Sequence, residues 1–202
     1  MKALVFDVET TGLPNYRLPF DDPSQPRVAS IAAILVDGDG AEISTLEALI
    51  SPDGWEMPAD LEKLHGLSTD ILKADGRPVA EVLNDFAAAV EQCDLLVAYG
   101  IQFDLKLVRG EWVRAGLPSR GKRLPEFCVM KAVTPICKMP PTEKMLAAGI
   151  NGPKTPKLAE AIKIIFGEEM DGAHRAIHDV RATIRLFHHL KTLGLVNVGV
   201  PL

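Results

Sequence analysis

KALVFDVETTGL, residues 2–13, opens as an apolar run and then places two acids, Asp7 and Glu9, two positions apart. The run predicts a strand over residues 2–8. Its apolar continuity predicts burial on both faces, as in a central strand. On extended backbone, residues two apart share a face, so both carboxylates project the same way. Like charges held that close repel unless protons or cations intervene. Thr10-Thr11-Gly12 follows at once, which turns the chain and offers backbone N–H groups beside the acids.

Outward from this stretch the chain reads as alternating elements. Residues 13–27 hold Pro14, Pro19, Pro23 and Pro26 with Asp21 and Asp22, the composition of a long exposed loop. Residues 28–37 return as a strand. Asp37-Gly38-Asp39-Gly40 makes a turn, and AEISTLEALI supplies the antiparallel partner. Short helices are expected near 58–64 and 68–74, with Pro58 suited to the first helical position and Ser68 to a cap. Val79, Val82, Leu83, Phe86 and Val90 follow a helical period, and CDLLVAYG (93–100) is a short strand. A helix over 103–115 carries Phe103, Leu107, Val108 and Trp112 on one stripe and stops at Gly116-Leu117-Pro118. Residues 119–153 are the least legible, with one strand expected near 126–131. A helix from Thr155-Pro156 to Phe166 ends at Gly167, and a final helix covers about 177–193. This order predicts an α/β layered domain: a mixed sheet with helices on both faces.

Composition narrows the class. The 202 residues are 47% hydrophobic and 24% charged, with a formal net charge of -5. That suits one globular domain and disfavours a basic carpet for polyanions, though not an enzyme whose metals meet a phosphate locally. Cys93, Cys128 and Cys137 form neither a disulfide framework nor a zinc spacing, and read as reduced thiols of a cytoplasmic protein. The apolar run after Lys2 is too short for a signal peptide. No stretch approaches the ~18 apolar residues of a membrane span, so no membrane association is expected.

Two further acids and one histidine join Asp7 and Glu9. Asp104 follows a strand by a short turn, at the carboxyl edge of a sheet where open α/β folds place their sites. Alone it would read as a helix N-terminal acid. Asp179 lies in AHRAIHDVRATIRLF, five residues after His174. His174 is expected on the loop before the last helix, with Asp179 in its first turns. Arg175 and Arg181 should face outward, and His178, His188 and His189 read as surface residues. Carboxylates are rarely buried uncompensated. Several converging beside a core point to bound divalent cations.

VFDVETTGL, VAYGIQFD and HRAIHDVRAT together resemble the three motifs of the DEDD superfamily of 3′–5′ exonucleases, in the histidine subtype. That subtype includes the proofreading subunit of bacterial replicative DNA polymerase, the trimming ribonuclease T and oligoribonucleases, and the loop with PKLAEAIKIIFGEE looks most like stand-alone or phage-type exonucleases. The resemblance implies a ribonuclease-H-like fold with a mixed five-stranded sheet, a single exonuclease domain over residues 1–196 and a short C-terminal tail over 197–202. It implies that Asp7, Glu9, Asp104 and Asp179 bind two divalent cations, Mg²⁺ or Mn²⁺, and that His174 is the general base. Thr10, Thr11, Gly12, Leu13 and Phe103 would contact substrate. Two departures stand out: Tyr99-Gly100 replaces the usual His-Asn of the second motif, and the long proline-rich stretch 14–27 follows the first motif directly, where it would border the substrate cleft.

The implied reaction is hydrolysis of phosphodiester bonds from DNA 3′ ends, single-stranded or frayed, releasing nucleoside 5′-monophosphates. RNA ends are the alternative substrate, and a non-catalytic polymerase-binding module is the second alternative. Two metals roughly 3.5–4 Å apart suit that chemistry. Carboxylates suit Mg²⁺ or Mn²⁺. Histidine, with an ordinary pKa near 6.5, suits proton removal at neutral pH. Lys122-Arg123, Lys138, Lys144, Lys154 and Lys157 supply a modest basic zone. Trp55 and Trp112 read as half-buried anchors. Only LVNVGVPL follows Gly194, which favours a stand-alone cytoplasmic enzyme of replication or repair. Homodimerisation and polymerase association stay open.

Overall fold

β1 (Ala3–Thr10) lies at the centre of a five-stranded sheet in the computed structural model, which describes residues 1–118, 124–170 and 175–196. Its neighbours are β2 (Val28–Val36), antiparallel, and β4 (Leu95–Ala98), parallel. β3 (Glu42–Leu49) pairs antiparallel outside β2, and β5 (Glu126–Cys128) pairs parallel outside β4. The order β3-β2-β1-β4-β5 is the mixed sheet expected from the sequence.

The alternation of side chains on β1 sorts the two layers. Ala3 and Val5 face one cluster, built with α5 (Val129–Cys137), α7 (Leu158–Phe166) and α8 (Ala176–Thr192). Leu4, Phe6 and Val8 face the other, built with α3 (Val79–Glu91) and α4 (Ile101–Arg114). The strand therefore buries both faces, which explains its lack of polar alternation until position 7. Phe6 meets Phe86 of α3 edge to face, with ring centroids 5.2 Å apart.

Several boundaries depart from the sequence reading. The strand expected near 126–131 ends at Cys128, and residues 129–137 form α5 instead, with Pro135 in its last turn. The period of α5 is hard to see because it is short and carries an internal proline. α6 (Glu143–Ala147), capped by Thr142, was not anticipated. α7 begins at Leu158 rather than 155, because Glu160 reaches back to accept from the Lys157 N–H. α1 (Ala59–His65) and α2 (Thr69–Asp75) fall where expected, and Ser68 accepts from the Ile71 N–H as the cap of α2.

The proline-rich segment is exposed along most of its length, but it is not loose. Gln25, 2% exposed, donates to the carbonyls of Asn15 and Pro19, and its own side-chain oxygen accepts from the Asn15 N–H. Lys106 of α4 donates to the Leu18 carbonyl at 2.8 Å. The Phe20 carbonyl rests so close to α4 that a Cβ at Gly110 would meet it at 2.4 Å. His188 is also less exposed than expected. It lies half-buried against Gly40, and burial lowers its pKa. His189 stands edge to face with Phe166, ring centroids 5.6 Å apart. Lys122, Arg123, His174 and the tail 197–202 lie outside the described residues.

Candidate active site

The side-chain parity that sends Ala3 and Val5 toward α8 continues through Asp7 and Glu9. Asp7, Glu9 and Asp179 offer carboxylate oxygens that all lie within 4.8 Å of one another. Asp179 comes from the first turn of α8, whose packing against the sheet brings it there. Buried Ala176 and Ala182 on the same helix permit that close approach.

Asp104 arrives by a different route. β4 pairs with β1 only at residues 3–5, so the far half of β1 has no partner strand on that side. The Val8 N–H, left by the ladder, donates to Asp104 Oδ1 at 3.3 Å. Asp104 sits in the first turn of α4 and is 2% exposed. It therefore closes the end of the sheet beside the three other acids.

Electrostatics record the crowding. The Asp7 carboxyl is held well above the ordinary carboxylate range, first by burial and then by the charges of Asp104, Asp179 and Glu9. Asp104 is pushed up to about 7, chiefly by burial, against the opposing effect of its backbone hydrogen bonds. A cluster that cannot ionise fully by itself suits a divalent cation, which replaces the protons. The all-oxygen donor set fits a hard ion such as Mg²⁺ or Mn²⁺.

A pH dependence follows. The folded state keeps protons that the unfolded chain loses near pH 4, so folding strengthens proton binding in this cluster. Stability of the metal-free protein should then fall as pH rises from about 4 through about 7, by up to ~1.4 kcal/mol per pH unit for each proton retained. Thermal unfolding in a chelator from pH 5 to 8 checks this. Mg²⁺ should restore stability most at the alkaline end. Asp104→Asn should flatten the slope, and an equal slope in that variant would contradict the assignment.

The acids border a cavity of about 190 Å³, lined by Asp7, Glu9, Thr10, Gly12, Leu13, Leu61, Leu64, His65, Phe103 and Asp179 among others. Four of the five expected substrate contacts, Thr10, Gly12, Leu13 and Phe103, thus share one hollow. The fifth, Thr11, does not line it. Its N–H donates to the Arg27 carbonyl, and its hydroxyl accepts from the Arg27 N–H. Thr11 closes the neck of the proline-rich loop. Thr10 donates its hydroxyl to the Gly12 carbonyl and fixes the turn after β1.

His65 is the site residue that sequence reasoning missed. Its Nδ1 lies 2.6 Å from Glu9 Oε2, with both side chains about 8% exposed. It is the last residue of α1, and Gly66 follows in the left-handed conformation with φ 71° to end the helix there. A single histidine on a seven-residue helix gives no periodic signal. His65-Gly66 just before the Ser68 cap was the only local cue.

Tyr99, the departure in the second motif, is turned away from the acids' chemistry. Its hydroxyl donates to the Pro156 carbonyl at 2.7 Å, which ties β4 to the start of α7. Of the basic zone, Lys154 is paired with both oxygens of Glu160.

Residues 4–187 match the model of the RNase T exonuclease family. DNA polymerase III subunit epsilon of Aquifex aeolicus (strain VF5) is 26% identical over 187 residues, 91% of this chain and 77% of that protein. E. coli exonuclease I in complex with a dT13 oligonucleotide superposes with a TM-score of 0.74 at 20% identity, over 95% of this chain and 41% of that one. The zinc-bound E. coli exonuclease I–single-stranded DNA complex superposes with a TM-score of 0.71 at 21% identity, over 95% and 40%. The chain thus spans about two fifths of the exonuclease I structures whose fold it shares.

Proposed function

Because the chain belongs to the RNase T exonuclease family, we propose that it removes nucleotides from the 3′ ends of single-stranded or frayed DNA as nucleoside 5′-monophosphates. The observation that carries this reading is the convergence of Asp7, Glu9 and Asp179 on one cavity, with Asp104 behind them. The family match makes the chain an exonuclease. The deoxyoligonucleotides bound to the similar exonuclease I structures favour DNA over RNA here.

In this reading Asp7, Glu9, Asp104 and Asp179 hold two divalent ions, Mg²⁺ or Mn²⁺. Bound there, the ions supply an activated water and neutralise charge on the leaving oxygen. The protein's residues prepare the site for them. Asp104 and Asp7 surrender their retained protons as cations bind, so affinity should tighten as pH rises toward 8. Leu13, Phe103 and Thr10 line the cavity beside the acids, where the terminal nucleotide would sit. His174 is assigned the general base on its motif alone, since it lies outside the described residues.

His65 positions Glu9 in this scheme. Neighbours that orient a metal ligand commonly matter 10- to 100-fold. His65→Ala should lower kcat by about that factor while KM for single-stranded DNA changes little. The variant should also bind Mn²⁺ more weakly by calorimetry. Unchanged turnover and unchanged Mn²⁺ affinity would remove His65 from the site.

The test of the reading is a time course on matched 5′-labelled DNA and RNA single strands, a blunt duplex and a closed circle. A ladder shortening from the 3′ end, with monophosphates released and DNA ahead of RNA, is expected. Faster loss of RNA would make it an exoribonuclease. Cleavage of the circle would end the exonuclease reading. No helix among the described residues is long and apolar enough to cross a membrane.

A further inference from the structure

The clasped proline-rich loop carries an aromatic ring that the site described so far does not use. Tyr16 is 63% exposed, yet its backbone belongs to the segment that Gln25 and α4 hold in place. Lys106 stands on one side of the ring, with Nζ 5.4 Å from its centroid. Each of the two follows a residue of the cavity closely in sequence. Leu13, 85% exposed, and Phe103 both line the acid-bordered hollow. Tyr16 lies three residues beyond Leu13. Lys106 lies three residues beyond Phe103, about 4.5 Å further along the same helix.

We propose that Tyr16 and Lys106 form an upstream nucleotide subsite, in which a base beyond the last two nucleotides stacks on the Tyr16 ring and its phosphate meets the Lys106 ammonium. The proposal rests on the single-stranded substrate inferred above. Three physical arguments support it. A base needs only an aromatic face, so stacking tolerates any sequence. Lys106 uses one donor on the Leu18 carbonyl, and an ammonium has three. The loop's order costs nothing further on binding, because hydrogen bonds to its own Gln25 and to α4 already fix it. Tyr16 also stays neutral: burial and the charge of Asp104 raise its pKa.

The loop therefore does more than border the cleft. It extends the grip by at least one nucleotide, using a rigid shelf where a globally acidic surface offers little attraction of its own. Lys106 ties the shelf to α4, the helix that also supplies Asp104 and Phe103.

The experiment compares wild type, Tyr16→Ala and Tyr16→Phe on a dinucleotide and on strands of four to eight deoxynucleotides. Affinity is read by fluorescence anisotropy in Ca²⁺, and KM and kcat are read in Mg²⁺. Tyr16→Ala should raise Kd and KM for the longer strands by about 5- to 150-fold. It should leave kcat and the dinucleotide nearly unchanged. Tyr16→Phe should behave as wild type. Lys106→Met should weaken binding of longer strands and reduce its salt dependence. Wild-type protein that binds and shortens the strands while Tyr16→Ala matches it would overturn the shelf alone. An equal loss on the dinucleotide would overturn it too. Wild-type protein that neither binds nor shortens any strand would overturn the exonuclease reading and the shelf with it.

Discussion

Asp7→Asn is expected to abolish hydrolysis and, at the same time, to stabilise the metal-free protein. Asp7 sits within 4.8 Å of carboxylate oxygens from both Glu9 and Asp179, and Asp104 also bears on it. Its ionised form is opposed by burial and by all three neighbours. An asparagine keeps the shape and removes the charge. Loss of a metal ligand should lower kcat by about 10³-fold or more, the scale of several kcal/mol of charge stabilisation. Removing an opposed carboxylate should add roughly 1–3 kcal/mol of stability at pH 8 in chelator. The two effects have opposite signs, so a damaged fold cannot imitate them. Activity in Mg²⁺ and urea unfolding in chelator measure them. Retained activity, or lost stability, would contradict the placement of Asp7.

Glu111→Ala should give the largest loss of stability. Glu111 is 1% exposed, and its carboxylate accepts from four donors. Arg27 Nε and Nη2 reach it at 2.7 and 3.0 Å, Arg114 Nη1 at 3.0 Å, and the Val28 N–H at 3.1 Å. The carboxylate joins the return of the proline-rich loop to the far end of α4. Removing it leaves two largely buried guanidinium groups without their shared anion. Breaking such a buried pair costs about 3–5 kcal/mol, which lowers Tm by roughly 10 °C in a domain of this size. Glu111→Gln keeps an acceptor for the Val28 N–H and should lose about half as much. Urea unfolding checks both. A loss below about 1 kcal/mol for Glu111→Ala would show the network to be slack.

The difference between these two residues marks what the sequence made legible. Asp7 and Glu9 announced themselves because a buried strand leaves no ordinary place for two acids on one face. Asp104 and Asp179 were legible as partners because each adjoined a readable element. Glu111 was silent, since its meaning lies in Arg27, 84 residues away. Local periodicity carries no record of that contact. Gln25 was silent for a similar reason: one polar residue among prolines looks like any loop residue until its three short hydrogen bonds are drawn. The strands and the long helices α3, α4 and α8 were visible in their apolar spacing. α5 and α6 were too short, and α5 too interrupted by Pro135, to stand out. His65 falls between these cases. Its helix was expected, but only the fold brings the end of α1 against Glu9.

The central claim is that the four acids form the divalent-metal centre of this exonuclease. Anomalous diffraction from crystals soaked in Mn²⁺ tests it most directly. Two strong peaks should appear, bounded by the carboxylates of Asp7, Glu9, Asp104 and Asp179, and both should vanish in Asp7→Asn crystals soaked alike. Manganese bound elsewhere, with this cluster left empty at saturating Mn²⁺ and pH 8, would contradict the account.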